Sequence, residues 1–103
     1  MERHTYGPDH FLAEQRITRA LLKFCVDHGS TTPAIENVRA CLAALEIGER
    51  SNAVEAFKRV RMGPDGFNDW FPPAVEPSET GEHAWAVFEA LVERWIRLMM
   101  LLE

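Results

Sequence analysis

Four stretches of the chain carry apolar residues at the three- and four-residue spacings of an amphipathic helix. The first predicts a helix over residues 9–28, closed by Gly29 where a C-terminal cap belongs. The second predicts a helix over residues 33–47, because Thr32 can cap it and Pro33 suits the first helical position. The predicted inner faces are formed by Ala13, Ile17, Ala20, Leu21, Phe24 and His28, and by Ile35, Val38, Leu42 and Leu45.

The other two stretches predict helices over residues 52–62 and 81–102, with Ser51 capping the third helix and Thr80 or Ser78 capping the fourth. Their apolar faces are Ala53, Phe57 and Val60, and Phe88, Val92, Trp95, Met99 and Leu102. The fourth pattern is the most apolar, so we expect this helix to be the central one. No segment has the alternating pattern of a strand. The predicted fold is all-α, an irregular four-helix bundle with a long aromatic and acidic loop between helices 3 and 4.

Size and composition narrow the class of protein. A chain of 103 residues with 47% apolar and 26% charged residues is expected to form a single helical domain over residues 1–103. No secretory signal or membrane-span pattern is visible, which favours a cytoplasmic location. Cys25 and Cys41 lack the spacing of zinc ligands and are too few for a disulfide framework, so both are expected to be reduced core residues.

Charge is distributed unevenly along the chain, whose net charge is -5. Residues 1–62 are nearly neutral, whereas residues 63–93 contain no Lys or Arg. The carboxylates of this second stretch are Asp65, Asp69, Glu76, Glu79, Glu82, Glu89 and Glu93. Such a run repels nucleic acid and anionic lipid and attracts a basic surface, so the expected partner is a protein with a basic surface.

The segment from Gly63 to Thr80 is longer than most connections between helices, and such loops are commonly functional. Its aromatic residues are interleaved with carboxylates, which is typical of a recognition surface for a cationic partner. The alternative is that the aromatic residues plug the open end of the bundle. The candidate partner-binding residues are Asp65, Phe67, Asn68, Asp69, Trp70, Phe71, Glu76, Glu79 and Glu82.

Met62-Gly63 followed by Gly66-Phe67-Asn68-Asp69-Trp70 resembles an element of small bacterial helical families that accompany polymorphic or type VI secreted toxins. Those families typically read Gly-Met-Gly-x-Phe/Leu-Asn-Asp. This chain departs from the pattern by having Arg61 in place of the first glycine and by the extra residues Pro64-Asp65. The resemblance implies an immunity protein that binds a toxin and blocks it, and it assigns no role to any single residue.

Two other functions remain open from the residues alone. His10 and Glu14 lie four apart on the first helix, and Glu79, Glu82 and His83 cluster at the start of the fourth, so facing helices could build a metal site for a small enzyme or regulator. A structural homodimer through helix 4 is the other alternative. Signatures of a catalytic nucleophile, a phosphate-binding loop or a dinucleotide site are absent from the sequence. We therefore expect a non-enzymatic interaction protein without a cofactor.

Overall fold

The computed structural model describes residues 8–29, 33–62 and 79–100. These ranges contain four helices: α1 over Pro8–Asp27, α2 over Pro33–Glu46, α3 over Arg50–Met62 and α4 over Gly81–Met99. No strand occurs in the described part of the chain. The all-α, four-helix prediction is confirmed. None of the four described helices has the length and hydropathy that a membrane span requires.

The turn between α2 and α3 is shorter than the sequence pattern indicated. Gly48 has a φ of 80° and closes α2 through two hydrogen bonds, from its own N–H to the Leu45 carbonyl and from the Glu49 N–H to the Ala44 carbonyl. This pair of bonds is a Schellman motif, which a glycine at the left-handed position favours. Because the chain reverses within three residues, α3 starts at Arg50 rather than at residue 52.

Glu49, and not Ser51, lies at the N-terminal end of α3. Its carbonyl accepts the first helical hydrogen bond from the Ala53 N–H, and its carboxylate accepts a bond of 2.7 Å from the Asn52 amide. Ser51 is already inside the helix and exposed. The predicted cap was therefore wrong by two residues, although the existence of the helix was predicted correctly.

Two helices lie in the middle of the packing: α1 contacts α2 and α4, and α2 contacts α1 and α3. The helices α2 and α3 form a tightly packed hairpin, while α4 lies mainly on α1 and touches α3 over a small area. The expectation of a central α4 was wrong. Only part of its apolar surface, namely Ala84, Phe88, Trp95 and Met99, is buried, although its pattern is the most apolar of the four.

Aromatic contacts join the helices that are distant in sequence. Phe57 of α3 and Trp95 of α4 form an edge-to-face pair with ring centroids 5.1 Å apart. Phe24 of α1 stacks on Phe88 of α4 at 5.9 Å. Such pairs stabilise by about 1 kcal/mol beyond the area that they bury. The core of the described residues also contains Ile17, Leu21, Cys25, Ile35, Val38, Cys41, Leu45, Ala53, Ala56 and Val60.

Candidate functional site

Most of the predicted partner-binding surface falls outside the described residues. This applies to Asp65, Phe67, Asn68, Asp69, Trp70, Phe71 and Glu76. Whether the three aromatic residues are exposed anchors or plug the end of the bundle therefore also concerns residues that the structure does not describe. Glu79 and Glu82 are described, and their environments differ: one faces inward and the other faces outward.

Glu79 is directed into the fold, where it binds the last turn of α1. Its Oε2 lies 3.0 Å from Nε2 of His28, and only 13% of its side chain is exposed. Nδ1 of His28 lies 2.9 Å from the carbonyl oxygen of Phe24, and the imidazole stacks on the Phe24 ring at 3.8 Å. Glu79 therefore joins the residues directly before α4 to the end of α1, a role that the sequence did not indicate.

The two ring nitrogens of His28 both face oxygen acceptors, so only the doubly protonated imidazolium donates to each of them. Burial lowers the pKa of His28, but the hydrogen bonds to Glu79 and to the Phe24 carbonyl, together with the negative charges of Glu79 and Asp27, offset this effect. The net result is a pKa raised above the ordinary value of 6.5. The contact between His28 and Glu79 is therefore a partly buried ion pair whenever His28 is protonated, and Glu79 favours that form.

The start of α4 follows this anchor directly. Thr80 has extended backbone angles, and its hydroxyl accepts a 3.0 Å hydrogen bond from the His83 N–H, so Thr80 rather than Ser78 is the N-cap. Glu82 lies in the first turn, where a carboxylate interacts favourably with the helix dipole, and its side chain is exposed. The contact of Glu79 with His28 and the Thr80 cap together fix the position of the start of α4.

The outward face of α4 continues this acidic run. Glu82, Glu89 and Glu93 are exposed and lie on one side of the helix, at spacings of seven and four residues. Trp85 lies beside them and is 37% exposed. Glu93, the last residue of the run without Lys or Arg, pairs with Arg97 at 3.2 Å. The described residues therefore contain an acidic face with one aromatic residue, which we call the acidic face of α4.

A second group of charges is buried between α1, α3 and the end of α4. Glu14 is completely buried, and both of its oxygens accept hydrogen bonds from Arg50, the shortest being 2.8 Å. Arg50 also donates to the carbonyl of Met99, and Nε2 of His10 lies 3.1 Å from the carbonyl of Leu98. These two carbonyls at the α4 C-terminus are bound by side chains from α1 and α3, which is how a helix end is satisfied inside a fold.

The cysteines are poorly suited to nucleophilic chemistry. Both are fully buried and free. Burial raises the pKa of each thiol to about 12, although Thr18 and Trp95 beside Cys41 act in the opposite direction. The thiolate is the reactive form, so these thiols are inert near neutral pH.

The residues of the hypothetical metal site do not converge. His10 and Glu14 do meet, at 3.4 Å, but they do so beside the C-terminal end of α4. Glu79, Glu82 and His83 are at the opposite end of that helix, and the 15 residues from His83 to Leu98 span about 22 Å. No group of three or more metal-ligating side chains exists among the described residues. The antiparallel course of α1 and α4 separates the two halves.

Comparisons of this chain with protein-family models, with characterised proteins and with solved structures find no match.

Proposed function

We propose that this chain is a protein-interaction module that binds a basic protein surface through its acidic segment 65–82, extended by the acidic face of α4. The most concrete form of the proposal is an immunity protein that neutralises a basic toxin. The observation that carries the proposal is the run over residues 63–93, which contains carboxylates and no Lys or Arg. A core does not require charges of one sign, whereas recognition of a basic surface does.

The geometry of α4 supports this proposal. Glu82 and Glu89 are exposed on the same side of the helix, with Trp85 close by. Aromatic side chains supply contact area at low entropic cost, and carboxylates around them select a cationic partner. The anchor between His28 and Glu79 ties the end of the acidic segment to the scaffold, and preorganisation of this kind lowers the entropic cost of binding.

The buried charged groups support a structural role for the interior. Glu14 is bound to Arg50, and His28 is bound to Glu79. Each of these side chains holds two elements together. We therefore assign the recognition to the outer surface and the stability of the scaffold to the interior.

The test is a binding measurement with charge-reversal variants. The wild type, Asp69→Lys and Glu82→Lys are used as bait in a lysate of the source cells, and the captured protein is then purified and titrated. We expect one stoichiometric partner with a basic surface. Each variant should bind this partner at least about tenfold more weakly than the wild type does. Binding by the wild type should weaken as the salt concentration rises.

The matched control is Glu55→Lys, which makes the same charge change at an exposed site on α3. It should bind as the wild type does. Equal weakening by all three variants would mean that only net charge matters, and unchanged binding by Asp69→Lys and Glu82→Lys would refute the proposed surface. Circular dichroism of each variant shows whether the helices are retained.

A homodimer through α4 is a second proposal, favoured by the exposure of Trp85 and Met100, which are 37% and 40% exposed. A substitution at Met99 would not test the dimer, because Met99 is completely buried within the chain and its replacement would disturb the core. Light scattering should instead compare the wild type with Met100→Glu. A mass of two chains that falls to one in the variant supports the dimer, and a monomeric wild type excludes it.

A further inference from the structure

A groove of about 330 Å³ lies between α1 and α4. Its α1 side is formed by Ala13, Arg16, Ile17 and Ala20, and its α4 side by Arg94. The α1 positions are spaced three and four apart, so they form one stripe along the helix. Because two of them are alanines, the stripe leaves a trough with an apolar floor and an arginine on each helix.

The two arginines of this groove have no carboxylate one helical turn away on their own helix. Residues three and four positions away from Arg16 are Leu12, Ala13, Arg19 and Ala20, and those around Arg94 are Ala90, Leu91, Arg97 and Leu98. Neither arginine forms a hydrogen bond or ion pair with another described residue.

The arginines next to them differ in this respect. Arg19 binds Glu46 at 3.1 Å, and Arg97 binds Glu93 at 3.2 Å. Arg16 and Arg94, which have no carboxylate partner among the described residues, thus both line one apolar trough.

We propose that this groove binds a small amphipathic carboxylate, such as a medium-chain fatty acid. The planar guanidinium groups of Arg16 and Arg94 match a carboxylate in charge and in hydrogen-bond geometry. The hydrocarbon chain lies along Ala13, Ile17 and Ala20. The volume is at the lower end of the range for small-molecule sites, which suits a ligand of this size. None of the lining residues belongs to the acidic face of α4, so this proposal does not rest on the proposed function.

The test is an NMR titration of isotope-labelled protein with octanoate. We expect saturable shifts of the backbone amide signals of residues 13–20 and of the turn around Arg94. Arg16→Gln and Arg94→Gln should each weaken binding by about tenfold or more, since each removes a charge-assisted hydrogen-bonding group. The control Arg59→Gln, at an exposed site on α3, should leave the dissociation constant unchanged.

Two further ligands and one further variant separate the contributions of charge and shape. Acetate has the carboxylate without the chain, and octanol has the chain without the charge; each should bind at least about tenfold more weakly than octanoate. Ala20→Leu fills the trough at an exposed helical position and should also weaken octanoate binding.

The proposal fails if octanoate causes no saturable shifts at residues 13–20, if both arginine variants bind it as the wild type does, or if octanol binds equally well. The dispersion of the amide spectrum establishes that each variant is folded. Should Ala20→Leu not fold, the two exposed arginine variants decide the question.

Discussion

Glu14 is an acidic side chain with no exposure to solvent, in a protein whose other described carboxylates lie mostly at the surface. Removing a carboxylate from water costs several kcal/mol, and only a close partner with good geometry offsets this cost. Arg50 is that partner, with three hydrogen bonds to the two carboxylate oxygens. The pair joins α1 to α3 and, through the bond from Arg50 to Met99, joins both to the end of α4.

We expect Arg50→Ala to lower the free energy of unfolding by about 3–5 kcal/mol, because it leaves a buried carboxylate without its charged partner. Urea denaturation followed by circular dichroism measures the loss. The control is Arg19→Ala, which removes an exposed ion pair with Glu46 and should cost less than about 1 kcal/mol. Similar losses in the two variants would show that the buried pair contributes no more than a surface one.

The pair between His28 and Glu79 makes stability depend on pH. The pKa of His28 is raised in the folded state, so the folded protein binds the proton more tightly than the unfolded chain does. The resulting stability is fully present below the unfolded pKa of about 6.5 and is lost as the pH rises through the folded pKa. We therefore expect the free energy of unfolding to decrease as the pH rises above about 6.5.

Glu79→Gln should reduce this decrease, because burial then lowers the pKa of His28 without the carboxylate to oppose it. Urea denaturation at several pH values measures the effect, and an NMR titration of the His28 ring gives its pKa directly. Glu82→Gln, a neighbouring exposed carboxylate, is the control and should retain the wild-type pH profile. An unchanged pKa of His28 in Glu79→Gln would contradict the assignment.

The single-residue roles were only partly visible in the sequence. The four-residue spacing of His10 and Glu14 indicated that they share a helix face, and they do meet. The partner of Glu14 is 36 positions away, and the partner of Glu79 is 51 positions away. No local pattern encodes pairs at such separations. The contact of Glu79 with His28 was therefore not predicted, and Glu79 was assigned to the partner-binding surface only.

At the scale of the elements, α4 begins at a side-chain cap. The Thr80 hydroxyl accepts the hydrogen bond from the His83 N–H, one of four N–H groups at the helix start that have no partner within the helix. This cap determines where the acidic face of α4 begins.

We expect Thr80→Ala to lower the free energy of unfolding by about 1 kcal/mol, because the His83 N–H loses its acceptor. Thr80→Ser keeps a hydroxyl at the same position and should retain most of the stability. Chemical denaturation of both variants measures the difference. If serine destabilises as much as alanine does, the methyl group rather than the hydrogen bond is responsible.

The helices themselves were predictable because their signals are local. Apolar spacing, Pro33 and the glycines at positions 29 and 48 placed the ends of α1 and α2 within one residue of the structure. The start of α3 was missed because Ser51, a residue type favoured at N-caps, was taken as the cap. The Schellman motif at Gly48 reverses the chain immediately, so the helix starts at Arg50.

For the molecule as a whole, α1 and α2 lie in the middle of the packing, with α4 on α1 and α3 on α2. Hydrogen bonds from Gln15 to Leu45 and from Arg19 to Glu46 join α1 to α2. Cys25 of α1 and Cys41 of α2 are buried in the resulting core.

The thiols should therefore report on unfolding of the whole protein. With a pKa of about 12 and no exposure, neither cysteine should be alkylated by iodoacetamide while the protein is native. We expect labelling to accelerate with urea in parallel with the loss of helicity, as followed by mass spectrometry. The fully unfolded protein supplies the reference rate. Rapid labelling of either thiol at full helicity would show a local opening that the packing does not predict.

The sequence by itself determined the helical class, the four helices, most of their ends and the two cysteines as core residues, because spacing and capping act over a few neighbouring residues. Only the tertiary structure decided the central place of α1 and α2, the pairs of Glu14 with Arg50 and of His28 with Glu79, and the groove that Arg16 and Arg94 share. These features join residues that are distant along the chain. Their energies depend on burial and on the direction in which helices pack, and neither is encoded in a local pattern.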